Sequence, residues 1–387
     1  MTDIDDDRER RDFALQVFGH MRTAGVTDVS YDAGEFAARY DGNDAVLHLA
    51  NLFAETRDRS PEETQEWLAR IVPALVTPQA PPDSWEDVRP LLRPVLRPST
   101  YALDDEGSRV RRSLFPFIDE LLVIDYPDVI NFPDESKLAD WGVTAAEALT
   151  VARENLAAVV PVAELPNDGI VRITVDETDY LSSWILVSDW LLVSTATFEH
   201  PPVAFIPDQQ TLIVVPGDPE MLSEAFDMVE QEYREAARPL SPQGYTVDES
   251  GLVIPLDLVA TDNDVEVARA RALLASVEYN TQQQWLEENY RADLEALYVS
   301  SLMMSEREDG IRTVAVWGEG VDAALPLADF IAFATEDDDR SIQVPFDTAV
   351  DLTGIAPIPG VHPPRFRTGA WPAPAVFERL TEVAVAF

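Results

Sequence analysis

Arg89, Arg93 and Arg97 recur every fourth residue in the segment RPLLRPVLRP, and Arg109, Arg111 and Arg112 follow within a few positions. The chain carries only 28 basic residues against 71 acidic ones, so this concentration of guanidinium groups is its most unusual local chemistry. A planar guanidinium fork matches the geometry of a carboxylate or a phosphate and can hold either through two parallel hydrogen bonds. Downstream lie Asp119, Glu120, Asp125 and Asp128. Two readings follow from this pattern. Arg93 and Arg97 could form, with Asp125 and Asp128, a site for an anion or an acidic peptide. Alternatively, the arginines pair internally with the neighbouring carboxylates, which offsets the desolvation cost of packed charges.

Other catalytic signatures are missing from the sequence. It has no GxSxG elbow, HExxH helix, phosphate-binding P-loop or SxxK motif. His20, His48, His200 and His362 are scattered, and none lies two to four residues from another, so spacing implies no metal site. Without cysteine there is no thiolate ligand, disulfide or sulfur nucleophile. The acidic runs Asp3–Asp7, Asp262–Asp264 and Glu336–Asp339 lack the glycine and distal glutamate of a calcium loop and read as solvated. Trp317–Ala323 fits a loose GxGxxA, but a dinucleotide loop must open a long helix and Pro326 intervenes, so turn glycines are expected. No cofactor is implied.

The elements that would position these groups can be read from periodicity. Asp119–Leu156 combines a short apolar strand at Leu121–Ile124 with a helix opened by the capping box Thr144–Glu147 and striped by Ala148, Leu149, Ala152 and Leu156. A second capping box, Ser60–Glu63, opens a helix carrying Trp67, Leu68, Ile71, Val72 and Leu75, which Pro73 and Pro78 should end. Asp41-Gly42 and Asp309-Gly310 are hairpin signals. Val203–Ile206 and Thr211–Val215 form a further hairpin, and Leu181–Thr195 suits helix better than strand. Long helices are expected from Asp218-Pro219 and from about Asp264, the latter with Val267, Ala270, Leu274 and Val277 on one face.

These units alternate helices with antiparallel strands and show no regular βαβ order, which predicts an α+β fold. The expected domains are residues 1–98, ending in a Pro-rich connector, then 99–242, then 243–387 with an antiparallel meander.

Several of these pieces carry a resemblance. LHLANLFAETRDRSPEETQEWLARIV, LRPVLRPSTY, the Asp119–Leu156 segment with VIDYP, LADWGV and ARENL, and PVAFIPDQQTLIVV together resemble the YtpQ-like bacterial family, domain-of-unknown-function family 1444. The likeness covers roughly residues 46–256. It implies the core of the fold and passes on no catalytic residue.

A formal net charge of −43 repels phosphate backbones and anionic head groups. Nucleic acid and membrane are therefore excluded as expected partners, and another protein is favoured. All basic residues but Lys137 are arginines, which suits a high-GC bacterium or a halophile. The N-terminal stretch lacks the apolar core of a signal peptide, and no apolar run is long enough to span a bilayer, so a soluble cytoplasmic protein is expected. The function expected from all this is a non-catalytic protein-interaction or chaperone-like module. A hydrolase of an anionic substrate using the Arg/Asp site and a structural subunit of a larger assembly are the alternatives.

Overall fold

The computed structural model describes residues 3–41, 45–57, 59–77, 80–105, 109–174, 180–259, 262–289, 297–307, 310–335 and 341–385. Gly42, Pro78, Asp309 and the acidic run Glu336–Asp339, all singled out in the sequence, lie outside them. The fold is α+β, built from helices and several small sheets. The chain divides into two units: Met1–Pro94 with Leu122–Val159 and Glu235–Pro239, and Val95–Leu121 with Val160–Arg234 and Leu240–Phe387.

In the first unit, helices Asp3–Thr23 and Pro61–Val76 pack with an antiparallel sheet of Val29–Asp32, Ala37–Tyr40 and Ala45–His48. The core joins Phe13, Val17 and Met21 to Leu68 and Val72. Ser60 accepts from the Glu63 amide while Glu63 accepts from the Ser60 amide, satisfying two donors that a helix start leaves open. Contrary to expectation, Pro73 does not end this helix. A proline so near the C-terminus forfeits one hydrogen bond, and the buried Val72 and Val76 hold the last turn in place. Helix Ala145–Ala157 likewise starts on the Thr144–Glu147 capping box, and its Asn155 donates to the carbonyls of Arg89 and Leu92.

In the second unit, a five-stranded sheet runs in the order Val253–Pro255, Pro239–Val247, Pro202–Asp208, Leu212–Pro216, Val171–Ile173, and helix Pro219–Glu235 covers it with Leu222, Ala225, Phe226 and Val229. A four-stranded sheet follows in the order Leu302–Arg307, Gly310–Gly318, Phe330–Ala334, Ile342–Pro345. Its middle pairing is parallel, so not every pairing in the expected meander is antiparallel. After Gly318, the last residue of its strand, the chain turns through Gly320 into strand Ala323–Pro326 and not into a helix. The segment 181–195 is helical in two short pieces, Leu181–Leu186 and Trp190–Ser194, broken where Asp189 takes a φ of 58°.

Strands Leu92–Pro98 and Ile118–Asp125 are neighbours in another sheet, in which Arg111–Phe115 pairs with Ile118–Asp125. Leu92, Val95 and Leu96 are fully buried, so the end of the Pro-rich segment is a core strand. Helix Asp264–Asn289 runs beside the C-terminal strands, and its apolar face continues into two polar residues, Glu278 and Gln282, that are buried all the same.

Candidate functional site

In the first unit, Arg93, Asp125 and Asp128 do not share one set of partners. Arg93 donates through Nη1 to the carbonyls of Pro90 and Leu92, 3.0 and 2.8 Å away, and its Nε lies 3.9 Å from Asp125. Asp128 instead faces Arg70, at 3.5 Å. Arg97 is buried, donates to the Leu96 carbonyl at 2.7 Å and lies over the ring of Tyr101, as does Arg109. The arginines at 111 and 112 have carboxylate partners across the hairpin. Because side chains alternate along a strand, Asp119 and Glu120 face opposite sides of the sheet. Arg112 pairs with Glu120 on one side, and Arg111 lies 3.6 Å from Asp119 on the other.

The Asp119 side of that hairpin gathers several polar side chains of the second unit. Asp119 is only 2 % exposed. Ser99 and Ser113 each donate to its Oδ1 at 3.1 Å, and His362 Nε2 lies 3.4 Å from the same oxygen. Cross-strand pairing places Ser113 opposite Asp119, and the amide of Ser99 donates to the carbonyl of Phe117. Glu278, 3 % exposed, accepts a hydrogen bond from the Thr100 amide, next to Ser99, at 3.0 Å.

His362 is held in position from behind. Gln282 donates to the Pro363 carbonyl at 2.6 Å, and the Tyr279 hydroxyl donates to the Pro364 carbonyl at 2.9 Å. Arg365, fully buried, donates to Gln282 Oε1 and to the carbonyls of Ser300, Ala324 and Tyr279, all within 3.1 Å. The 362–365 stretch is thus pinned to helix Asp264–Asn289 by its three trailing residues, while its histidine reaches the hairpin.

The electrostatics of the two carboxyls diverge. Burial alone would push Asp119 up, but His362, Arg111 and Ser99 outweigh it and hold the carboxyl below its ordinary value. Burial pushes Glu278 up to about 7, and neighbouring Asp119 adds to the push; the Thr100 hydrogen bonds and His362 oppose it. Near neutral pH one carboxyl is therefore an ionised acceptor and the other can hold a proton, the separation that acid–base pairs need. Burial also lowers Arg365 to about 10. The Ser113–His362–Asp119 grouping is not a nucleophilic triad. Ser113 Oγ, at 3.4 Å, and Asp119 both address Nε2, whereas a triad needs its acid on the other ring nitrogen. Among the described residues, no three His, Asp or Glu side chains are placed to hold a metal ion.

Sequence reading missed Glu278 and His362 because their partners are remote, 178 residues from Thr100 to Glu278 and 249 from Ser113 to His362. One signal was present: Glu278 and Gln282 continue the helical spacing of Val267, Ala270 and Leu274, so polar residues occupy a core-facing stripe.

The same unit also exposes several large apolar side chains. Leu252, Leu258, Val259 and Val265 are 41–70 % exposed, and Leu192 and Val193 are also exposed. The turn at 248–252 is closed by Asp248, which accepts from the amides of Ser250 and Leu252. It sits against Leu192: a side chain at Gly251 would meet the Leu192 Cδ1 at 3.3 Å. Glu249, Asp262 and Asp264 are exposed along the same stretch, and no basic residue occurs between Arg238 and Arg269. Among the described residues, no helix is long and apolar enough to cross a membrane. Compared with protein-family models, with curated proteins and with solved structures, the chain matches none.

Proposed function

We propose that the protein is a non-catalytic interaction module whose partner is a basic, amphipathic polypeptide segment, bound by the exposed side chains of 252–259 and 262–266. The observation that carries this reading is the exposure of Leu252, Leu258, Val259 and Val265 in a stretch that also exposes Glu249, Asp262 and Asp264 and has no basic residue in sequence between Arg238 and Arg269. Apolar side chains left in water contribute affinity when covered, roughly 25 cal/mol per Å² of apolar area. The carboxylates select a partner of opposite charge and speed its approach. The edge strand Val253–Pro255 is three residues long and ends in proline, which has no amide hydrogen. The partner is therefore read through its side chains and does not add a strand. A cytoplasmic setting belongs to the same proposal. So does membership of the YtpQ-like family over residues 46–256, which implies a shared fold core and passes on no catalytic residue. The hydrolase alternative through Arg93, Arg97, Asp125 and Asp128 is less favoured, because Arg93 faces backbone carbonyls and Asp125 while Asp128 faces Arg70.

The test is fluorescence anisotropy with a labelled Arg/Leu amphipathic peptide and a matched peptide carrying Glu for Arg. The Arg peptide should bind, weaken steeply with added salt, and lose roughly tenfold in affinity to the Leu252→Ser/Leu258→Ser variant, about 1.4 kcal/mol. Equal binding of the Glu peptide, or unchanged binding by the double variant, would overturn the assignment.

A further inference from the structure

We infer that the surface for the basic partner continues from the 248–266 stretch across helix Trp190–Ser194 onto residues 161–165, so that one partner segment is read by three separate pieces of the chain. This rests on the reading of the protein as an interaction module and names the remainder of that module's contact surface. All three pieces belong to the second unit. They are held together by groups other than their exposed side chains. Trp190 donates through its indole Nε1 to the Pro161 carbonyl at 3.0 Å, and the Leu165 amide donates to the Ser194 carbonyl at 2.7 Å. Residues 161–165 are thus tied to both ends of a five-residue helix. The helix is itself seated by the buried Trp190, whose ring meets Trp184 edge-on with centroids 5.6 Å apart. The same helix also meets the 248–252 turn. Gly251, with a φ of 83°, has no Cβ, and one there would lie 3.1 Å from Asp189 Oδ1 and 3.3 Å from Leu192 Cδ1.

These ties leave apolar side chains in water on each piece. Val162, between the two tethered positions, and Leu192, Val193 and Leu252 are 39–65 % exposed. Single exposed apolar residues are ordinary on a protein surface, but here they sit on pieces fastened to one another, and such grouping marks contact sites.

Charge names the occupant. Glu164 and Asp189 are exposed on the two added pieces, as Glu249 is on the turn. In sequence, no lysine or arginine occurs at 154–171, 173–233 or 239–268, and the intervening Arg172 pairs with Glu232. A second copy of the chain would set these carboxylates against themselves and add another net charge of −43, and an anionic lipid surface would be repelled in the same way. A polypeptide segment that intersperses arginines with apolar residues complements both the valines and leucines and the carboxylates between them.

The test uses the full chain and the labelled Arg/Leu peptide in fluorescence anisotropy. Val162→Ser/Val193→Ser alters the added pieces alone and should weaken binding by roughly tenfold, as Leu252→Ser/Leu258→Ser does. Both valines are exposed, so the fold should survive their replacement. Glu164→Gln/Asp189→Asn gives a second reading that leaves the apolar contacts in place. Asparagine tolerates the left-handed backbone at position 189, where φ is 58°, and the variant's affinity should fall less steeply with salt than that of wild type. Val383→Ser, at an exposed valine outside the three pieces, should bind as wild type does. Unchanged binding by Val162→Ser/Val193→Ser beside a weakened Leu252→Ser/Leu258→Ser variant would overturn this inference and leave the narrower surface standing. A wild type that does not prefer the Arg peptide would overturn both. A wild-type dimer broken by Val162→Ser/Val193→Ser would overturn the inference too, because a second copy would then be the occupant.

Discussion

Replacing Arg365 by methionine sets two large opposing terms against each other, and the structure decides the sign. The guanidinium is fully buried and its four acceptors, Gln282 Oε1 and the carbonyls of Ser300, Ala324 and Tyr279, are all neutral. Its charge is accordingly disfavoured, with the group drawn down from 12.5 to about 10, which corresponds to about 3 kcal/mol that methionine would recover. Against this stand four hydrogen bonds from a charged donor, worth about 1.5–3 kcal/mol each, and four acceptors that methionine leaves buried and unpaired. Taking the lower figure gives about 6 kcal/mol lost. The net expectation is destabilisation of about 3 kcal/mol. Arg365→Lys keeps a charge and three donors and should lose less, about 1–2 kcal/mol. With two units in the chain a single global transition is not assured, so pulse proteolysis in urea, scored on fragments of the second unit, is the suitable assay. A methionine variant as stable as wild type would refute the reasoning, because burial cost would then equal or exceed the hydrogen bonds. A lysine variant weaker than methionine would refute it equally.

Two further outcomes are expected. Glu278→Gln should change the pH dependence of stability with a definite sign. The wild-type carboxyl is raised on folding, so its neutral form supports the fold fully below about pH 4.5, and that support is lost as pH rises through about 7. The variant should therefore gain on wild type across this window and be more stable above it by about 3 kcal/mol at most, with the difference curve from urea titrations at several pH values as the check; a flat difference would contradict the burial of Glu278. Gly244→Ala should destabilise by about 1–3 kcal/mol in the same proteolysis assay, since a Cβ there would lie 2.9 Å from Val203 Cγ1 and 3.2 Å from Leu256 Cδ2 in a packed core; wild-type stability would mean the strands can move apart.

Local chemistry made much of the fold legible. The capping boxes at Ser60 and Thr144 opened helices because a hydroxyl and a carboxylate three residues apart satisfy helix-start amides wherever they occur. The α+β class followed from the mixture of such helices with short alternating strands. Pro73 misled because its cost depends on where in the helix it falls, and burial of Val76 outside the reach of a local rule set the end. The arginine-rich segment was visible as a concentration of charge. Which acid each arginine meets was not, since Arg111 and Arg112 find Asp119 and Glu120 across a tight hairpin while Asp128 is met by Arg70 from a distant helix. Glu278 and His362 were the hardest to see. Neither has a motif, and their proximity depends on the long helix and the C-terminal strands being in place together.

The partners of Gln282 bear on the order in which the second unit can be completed. Its side chain spans the Pro363 carbonyl and the Arg365 guanidinium, 81 and 83 positions further along the chain. During synthesis the helix is made long before those residues, so a polar position on its inward stripe waits while the intervening strands emerge. Closing contacts over such separations is entropically slow. Until residues 363–365 are in place, Gln282 lacks these two partners, so the inward stripe of the helix is completed only together with the C-terminal strands.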